Sequence, residues 1–175
     1  MPPGQLSCTA SVSSSEPAAT TTIGFDEPEI DAIRTFAASD GSYTSCPYRY
    51  SDTLTQFSVK GVSLQGRYLF RALWSGCTSS NPSVWDGGVL QTRDSALTLG
   101  VNALPRPSAL RFSLGIDGSA PSPRFDLTVT DSNGATSNTT VSTLLGRVSL
   151  SCTNPISSVR INHDGPSWII DSLAF

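Results

Sequence analysis

Apolar and polar residues alternate one by one through much of this chain. Leu110, Phe112, Leu114 and Ile116 take one face of an extended segment, with Arg111 and Ser113 on the other. Phe125, Leu127 and Val129 alternate with Asp126, Thr128 and Thr130, and Val159 and Ile161 alternate with Ser158, Arg160 and Asn162. A period of two marks a strand with one face in a core. Strands are predicted at short spacing over 56–62, 68–74, 88–91, 96–101, 109–117, 125–131, 139–145, 148–152, 156–162 and 168–175. Asp117-Gly118 and Asp131-Ser132-Asn133-Gly134 tolerate positive φ and read as hairpin turns. Pro105, Pro107, Pro121 and Pro123 fall between strands, where a missing backbone donor does no harm. The expected fold is all-β, an antiparallel β-sandwich or jelly roll.

The remaining segments fit around that core. Residues 1–20 read as an extended amino-terminal arm, and 21–175 as a single sandwich domain whose first strand signal is 21–25. Ile30, Ile33 and Ala37 suit one short helical turn, and 37–53 reads as a polar loop around Cys46 holding Tyr43, Tyr48 and Tyr50. In the last strand, alternation places Ile169, Asp171, Leu173 and Phe175 on one face, so a carboxylate sits among apolar side chains. Burying it there is costly without a cation, a backbone donor or a metal. A second acidic patch, Asp26-Glu27, follows the first strand signal. The two acidic strand ends suggest that the first and last strands meet.

Composition narrows the class. Charged residues are 14% of the chain, with 14 Gly and 12 Pro, a mixture that suits turns and short strands rather than long helices. The net charge is −3 and the basic residues are scattered, which excludes nucleic acid as the expected partner. No run of about 18 apolar residues offers a membrane span. Met1-Pro2-Pro3-Gly4 has no charged start or apolar stretch, as expected of the mature form of an exported chain. Cys8, Cys46, Cys77 and Cys152 contain no C-x-x-C pair and share the chain with one histidine, which argues against structural zinc. They read as two disulfides of a secreted protein. Three pairings exist; Cys46–Cys77 would staple the middle loops and Cys8–Cys152 would tie the arm to the sandwich, with buried free thiols as the alternative. Asn138-Thr139-Thr140 is a glycosylation triplet in a eukaryotic source.

The second half has a further grammar. A Pro-containing lead-in to a strand (104–114) precedes the 125–134 hairpin, then Leu144-Leu145-Gly146, Asn154-Pro155-Ile156 and Ile170-Asp171-Ser172-Leu173-Ala174-Phe175. With Phe25-Asp26 near the start, this order resembles the galactose-binding-like jelly-roll domains of exported bacterial proteins, including those with PEP-CTERM sorting tails. It is also similar to β-sandwich carbohydrate-binding modules. The resemblance covers about 21–175 and rests on short apolar pieces. Residues 37–87 have no counterpart in it, and a sorting helix is absent from the pattern.

The resemblance implies a structural Ca²⁺ between the first and last strands, carried by Asp26 and Asp171 with Glu27 as a weaker ligand. The alternative for Asp171 is a set of backbone donors or an arginine. The resemblance also implies carbohydrate binding. Aromatic rings stack on the apolar faces of sugars while polar side chains read hydroxyls. Trp85 beside Asp86 in a Gly-flexible turn, with Trp74, Tyr48 and Tyr50 in or beside loops, are the candidate contacts; the competing reading is that tryptophan fills the core. Trp168 begins a strand and is expected to pack. His163, in Asn162-His163-Asp164-Gly165-Pro166, reads as a solvent-exposed turn residue, and no Gly-x-Ser-x-Gly accompanies it. The expected function is a secreted, non-catalytic, lectin-like domain that binds carbohydrate or a cell-surface ligand. A structural or adhesive protein making protein–protein contacts, and a small glycan-active enzyme, are the alternatives.

Overall fold

A computed structural model of the chain describes residues 5–13, 22–23, 48–51, 57–65, 68–72, 88–92, 95–116, 123–164 and 168–175. Every regular element among them is a strand: β1 (Cys8–Ser13), β2 (Thr22–Ile23), β3 (Tyr48–Ser51), β4 (Phe57–Val59), β5 (Val62–Gln65), β6 (Tyr68–Ala72), β7 (Gly88–Thr92), β8 (Ala96–Val101), β9 (Ala109–Ile116), β10 (Arg124–Asp131), β11 (Thr136–Ser142), β12 (Leu145–Cys152), β13 (Ile156–His163) and β14 (Trp168–Ala174). They form two antiparallel sheets. One runs β1-β12-β9-β14-β7-β6-β3, with β2 also on β14; the other runs β11-β10-β13-β8-β5-β4.

The last eight strands carry the topology. In the first sheet they lie in the order β7-β14-β9-β12, and in the second β8-β13-β10-β11. Among these eight the chain crosses between sheets at every connection except the one from β10 to β11. That interleaving of two four-stranded halves is a jelly roll. The earlier strands widen both sheets. Apolar residues of the two inner faces meet between them: Leu97, Leu99, Phe125, Leu127, Val129, Val159 and Ile161 from one, and Leu110, Phe112, Leu114, Val148, Leu150, Trp168 and Ile170 from the other. All are essentially inaccessible to water, as the alternation demands.

The first and last strands of the predicted domain do meet. β2 pairs antiparallel with the end of β14, Ile23 opposite Leu173 and Thr22 opposite Ala174. β14 is therefore flanked by β9 on one edge and by β7, then β2, on the other. The alternation read for this strand breaks part-way. A bulge between Asp171 and Ala174 sets two residues against one of β9. Trp168, Ile170 and Leu173 are buried, whereas Asp171 pairs in register with Ser113, which in turn pairs with Arg147 of β12. Ser113 and Arg147 are themselves buried, and the Arg147 Nη1 donates to the Ser113 hydroxyl at 2.9 Å.

Three stretches depart from the sequence reading in the strands they form. The stretch 56–62 is two strands, because Lys60 (φ 48°) and Gly61 (φ 80°) form a two-residue hairpin closed by the Val59–Val62 pair. Positive φ at both central positions defines the turn whose twist suits a hairpin. Residues 48–51, read as loop, form β3 on β6. Residues 8–13, read within the arm, form β1 on β12. The missed signal was Leu6, Cys8, Ala10 and Val12 alternating with Ser7, Thr9 and Ser11. The helical turn expected around Ile30, Ile33 and Ala37 lies outside the described residues.

Cys8 and Cys152 stand directly opposite each other and are joined by a disulfide, with Cα atoms 4.1 Å apart. Their backbone N–H groups point elsewhere: Cys8 donates to the Ser137 hydroxyl at 3.1 Å, and Cys152 to the Ser108 carbonyl at 2.8 Å. They are thus a non-hydrogen-bonded pair, the closer of the two antiparallel pair types. This is the pairing the sequence reading favoured for these two cysteines. Cys46 and Cys77 lie outside the described residues.

The β10–β11 hairpin is held by its own carboxylate. Gly134 (φ 83°) follows a turn in which its N–H donates to the Asp131 carbonyl at 3.2 Å. Asp131 Oδ1 accepts from the N–H groups of Asn133 (2.8 Å) and Ala135 (2.9 Å), and Oδ2 from Asn154 Nδ2 (2.8 Å). The Asn154 side chain, then these backbone donors, hold the Asp131 carboxyl below its ordinary range, against the opposing effect of burial. The same contact ties the hairpin to the turn between β12 and β13.

Candidate functional site

The outer face of the second sheet is polar because its strands alternate. Register aligns Thr140, Asp126 and Asn162 in one row across β11, β10 and β13; Asn138, Thr128 and Arg160 form the next; Thr136, Thr130 and Ser158 the third. The side chains brace one another. Thr128 donates to Asn138 Oδ1 at 2.9 Å, and Arg160 Nε donates to Asn162 Oδ1 at 3.3 Å.

At the first row the sheet ends in a cleft of about 420 Å³, lined by Ser95, Arg124, Asp126, Asn162, His163 and Asp164. Two short sequences build most of it. Arg124-Phe125-Asp126 opens β10 and Asn162-His163-Asp164 closes β13, and the strands pair Phe125 with His163 and Asp126 with Asn162. The central residue of each triplet turns inward and the flanking polar ones line the cleft.

Asp126 is pinned through one oxygen. Its Oδ1 accepts from Thr140 Oγ1 at 2.8 Å and from Arg124 Nε at 3.0 Å, and lies 2.9 Å from Arg124 Nη2. The Thr140 hydroxyl, the Arg124 hydrogen bond and the Arg124 charge hold this carboxyl below its usual range, while partial burial pushes the other way. Asp126 is therefore an anion at neutral pH and an acceptor. Its Oδ2, like Asn162 Nδ2, makes no hydrogen bond among the described residues. Ser95 and Asp164 are exposed at the rim. The cleft thus offers fixed acceptors next to fixed donors, each with capacity to spare.

His163 is not the exposed turn residue its neighbours suggested. It is the final residue of β13 and is 1% exposed. Its ring stacks on Phe125 with centroids 4.6 Å apart, and Phe125 meets Trp168 edge-on at 5.7 Å. Nδ1 lies 2.9 Å from the Arg124 carbonyl oxygen, so Nδ1 carries the proton. Nε2 is buried without a hydrogen-bond partner. The imidazole is a wall of the core under the cleft, and its free nitrogen does not reach solvent. Trp168 is fully buried, as expected of a packing residue.

Asp26, Glu27, Trp74, Trp85 and Asp86 lie outside the described residues. Tyr48 and Tyr50 belong to β3, and Asp171 to β14; the side chains of all three are outside the description. Among the described residues no group of three or more His, Cys, Asp or Glu could hold a metal, and no helix is long and apolar enough to cross a membrane. Arg124, Asp126, Asn162 and Asp164 were not singled out as a site. The available signal was the pair of polar-aromatic-polar triplets, but only the β10–β13 register shows that they adjoin.

No protein-family model matches the chain, and no curated protein matches it. Among solved structures, two single-residue variants of Bacillus subtilis oxalate decarboxylase are similar at 12% identity, with TM-scores of 0.24 and 0.25. The matches cover 79% and 80% of this chain but only 32% and 33% of those structures, so the chain spans about a third of their length. Likeness at that level carries no argument about site or activity, and the jelly roll rests on the strand order itself.

Proposed function

We propose that this chain is a secreted, non-catalytic β-sandwich that recognises carbohydrate or another hydroxyl-rich surface ligand, in the manner of galactose-binding-like domains. The observation that carries the reading is the cleft of Ser95, Arg124, Asp126, Asn162 and Asp164 at the end of the second sheet. Neighbouring sugar hydroxyls donate and accept together, and the free Asp126 Oδ2 beside the free Asn162 Nδ2 suits such a pair. Both groups are pre-oriented by bonds made through their other atoms, which reduces the ordering cost of binding. Glycoside hydrolysis needs one carboxyl kept protonated as its general acid, a part that Asp126, held below its usual range, does not suit. The Cys8–Cys152 disulfide favours an oxidising compartment.

Trp85, Asp86, Tyr48, Tyr50 and Trp74 are the proposed stacking and hydrogen-bonding contacts beyond the cleft. A structural Ca²⁺ at Asp26, Glu27 and Asp171 draws support from the pairing of Ile23 with Leu173, since Asp26 follows Ile23 by three residues in sequence.

A glycan array probed with wild type, Asp126→Ala and Trp85→Ala tests the reading. Loss of one hydrogen-bonding charged group should weaken binding by about 10- to 100-fold. Absence of binding to every glycan, or Asp126→Ala binding as wild type does, overturns it. Thermal melts in calcium chloride and in EDTA test the ion: equal midpoints remove Ca²⁺ from the proposal.

A further inference from the structure

β1 is the most weakly built strand of the jelly-roll sheet that can be described side chain by side chain. It lies at the end of that sheet, with β12 as its one ladder partner among the described residues. The residues on its inward face are Leu6 just before it, which is buried, Cys8 and Ala10, which are half-buried, and Val12, which is 41% exposed. What it covers is different in kind: Val148 and Leu150 of β12 are fully buried. Eight residues (14–21) separate Ser13 from Thr22, where the chain next joins this sheet on the far side of β9 and β14. A link of that length reaches roughly 27 Å when extended, so β1 can leave while β2 stays. The covalent tie that prevents this is the Cys8–Cys152 bond.

We propose that β1 is an exchangeable strand, locked by its disulfide, which on reduction leaves β12 and is replaced there by β1 of a second copy of this chain. The exposed edge of β12 has a complement in every other copy: the same segment, with the same alternation and register. Exchange of an identical element keeps all the native contacts and adds only a new connection. The edge therefore selects a second copy over an unrelated strand, which would lack Leu6 and Cys8 at matching positions.

The chemistry balances with a dithiol reductant. One of its thiolates attacks a sulfur of the Cys8–Cys152 bond, its second thiol resolves the mixed disulfide, and both cysteines are left as thiols while the reductant becomes a disulfide. Oxidised glutathione reverses this, taking up the two electrons and leaving as two molecules of glutathione thiol. In an exchanged pair the register Cys8–Cys152 is retained, so reoxidation joins Cys8 of one copy to Cys152 of the other.

Equal amounts of ¹⁴N- and ¹⁵N-labelled full chain are mixed, reduced with dithiothreitol at high protein concentration, reoxidised with oxidised glutathione and digested without reduction. Mass spectrometry then reads the Cys8–Cys152 peptide pair. About half of these pairs should carry one light and one heavy partner after full exchange, falling toward none on dilution. Only same-isotope pairs at every concentration, or Cys8 spread over Cys46 and Cys77, overturns the proposal. Hydrogen exchange of the reduced chain separates release from collapse. Protection should fall in β1 and along β12 while β10 and β13 keep theirs; loss throughout β10 and β13 also overturns it.

Discussion

Replacing both Cys8 and Cys152 by serine removes one covalent bond and little packing, since both side chains are only half-buried. The two residues are 144 apart in sequence. In the chain-entropy description, a cross-link costs the unfolded chain −2.1 − 1.5R ln n of entropy, which for this loop is about 17 cal/mol/K, or about 5 kcal/mol at 25 °C. That is the ceiling. Without the bond, β1 is held by the burial of Leu6, worth about 2 kcal/mol, and by its ladder to β12. Any release of β1 in the variant lowers the free energy of the folded form and reduces the loss. The double variant should be about 3–5 kcal/mol less stable in urea denaturation. With a slope of about 2 kcal/mol/M, the midpoint falls by roughly 1.5–2.5 M. Using the variant rather than a reductant leaves Cys46 and Cys77 untouched. A midpoint within about 0.5 M of wild type would refute the reasoning, because it would mean that closing this loop does not restrict the unfolded chain.

Three further outcomes follow from single sites. Gly61 and Gly134 have nearly the same positive φ, but a Cβ on Gly61 would lie 2.7 Å from the Ala103 Cα, whereas nothing is within 4 Å at Gly134. Gly134→Ala should cost about 1–2 kcal/mol and Gly61→Ala a further ~1–3 kcal/mol of overpacking; equal midpoints in thermal melts would count against the close approach. Asp131 is depressed in the fold, so its contribution is complete above the unfolded value of about 3.9 and disappears as pH falls through the folded value. The stability gap between wild type and Asp131→Asn should therefore be constant from pH 6 to 8 and narrow in acid; a gap that widens in acid contradicts the assignment. Phe125→Ala removes the ring between His163 and Trp168 and should cost about 3–5 kcal/mol, visible as a lower denaturation midpoint; a change under ~1 kcal/mol would show that the ring is not packed as described.

The strands that could be read from the sequence are those whose inner face is long and uniformly apolar, such as Leu110 to Ile116 and Phe125 to Val129. There, hydrophobic burial dictates both period and face, and β8 was placed to the residue at Ala96–Val101. β1 was missed because its inward residues are a leucine, a cysteine, an alanine and a valine, too small a set to stand out from a Ser/Thr-rich background. The 56–62 segment ran together because Lys60 at positive φ is an unusual occupant of a hairpin turn. The bulge in β14 was invisible for another reason: it is a property of the register between β14 and β9, which the residues of β14 alone do not state. The cleft failed to show for the same cause. Each triplet is ordinary alone, and only register between residues 36 apart, Asp126 and Asn162, makes them one surface.

The seven residues of β14 are the keystone of the wider sheet, joining β9 to β7 and β2. A ribosome delivers them after every strand they connect. Until then β9 and β7 wait as separate unfinished edges, and the inward faces of Phe112 and Leu114 have no Trp168 or Ile170 beside them. Closure of this sheet therefore depends on contacts between residues far apart in sequence, which form slowly, and a chain without this strand would lose the middle of its sheet rather than its margin.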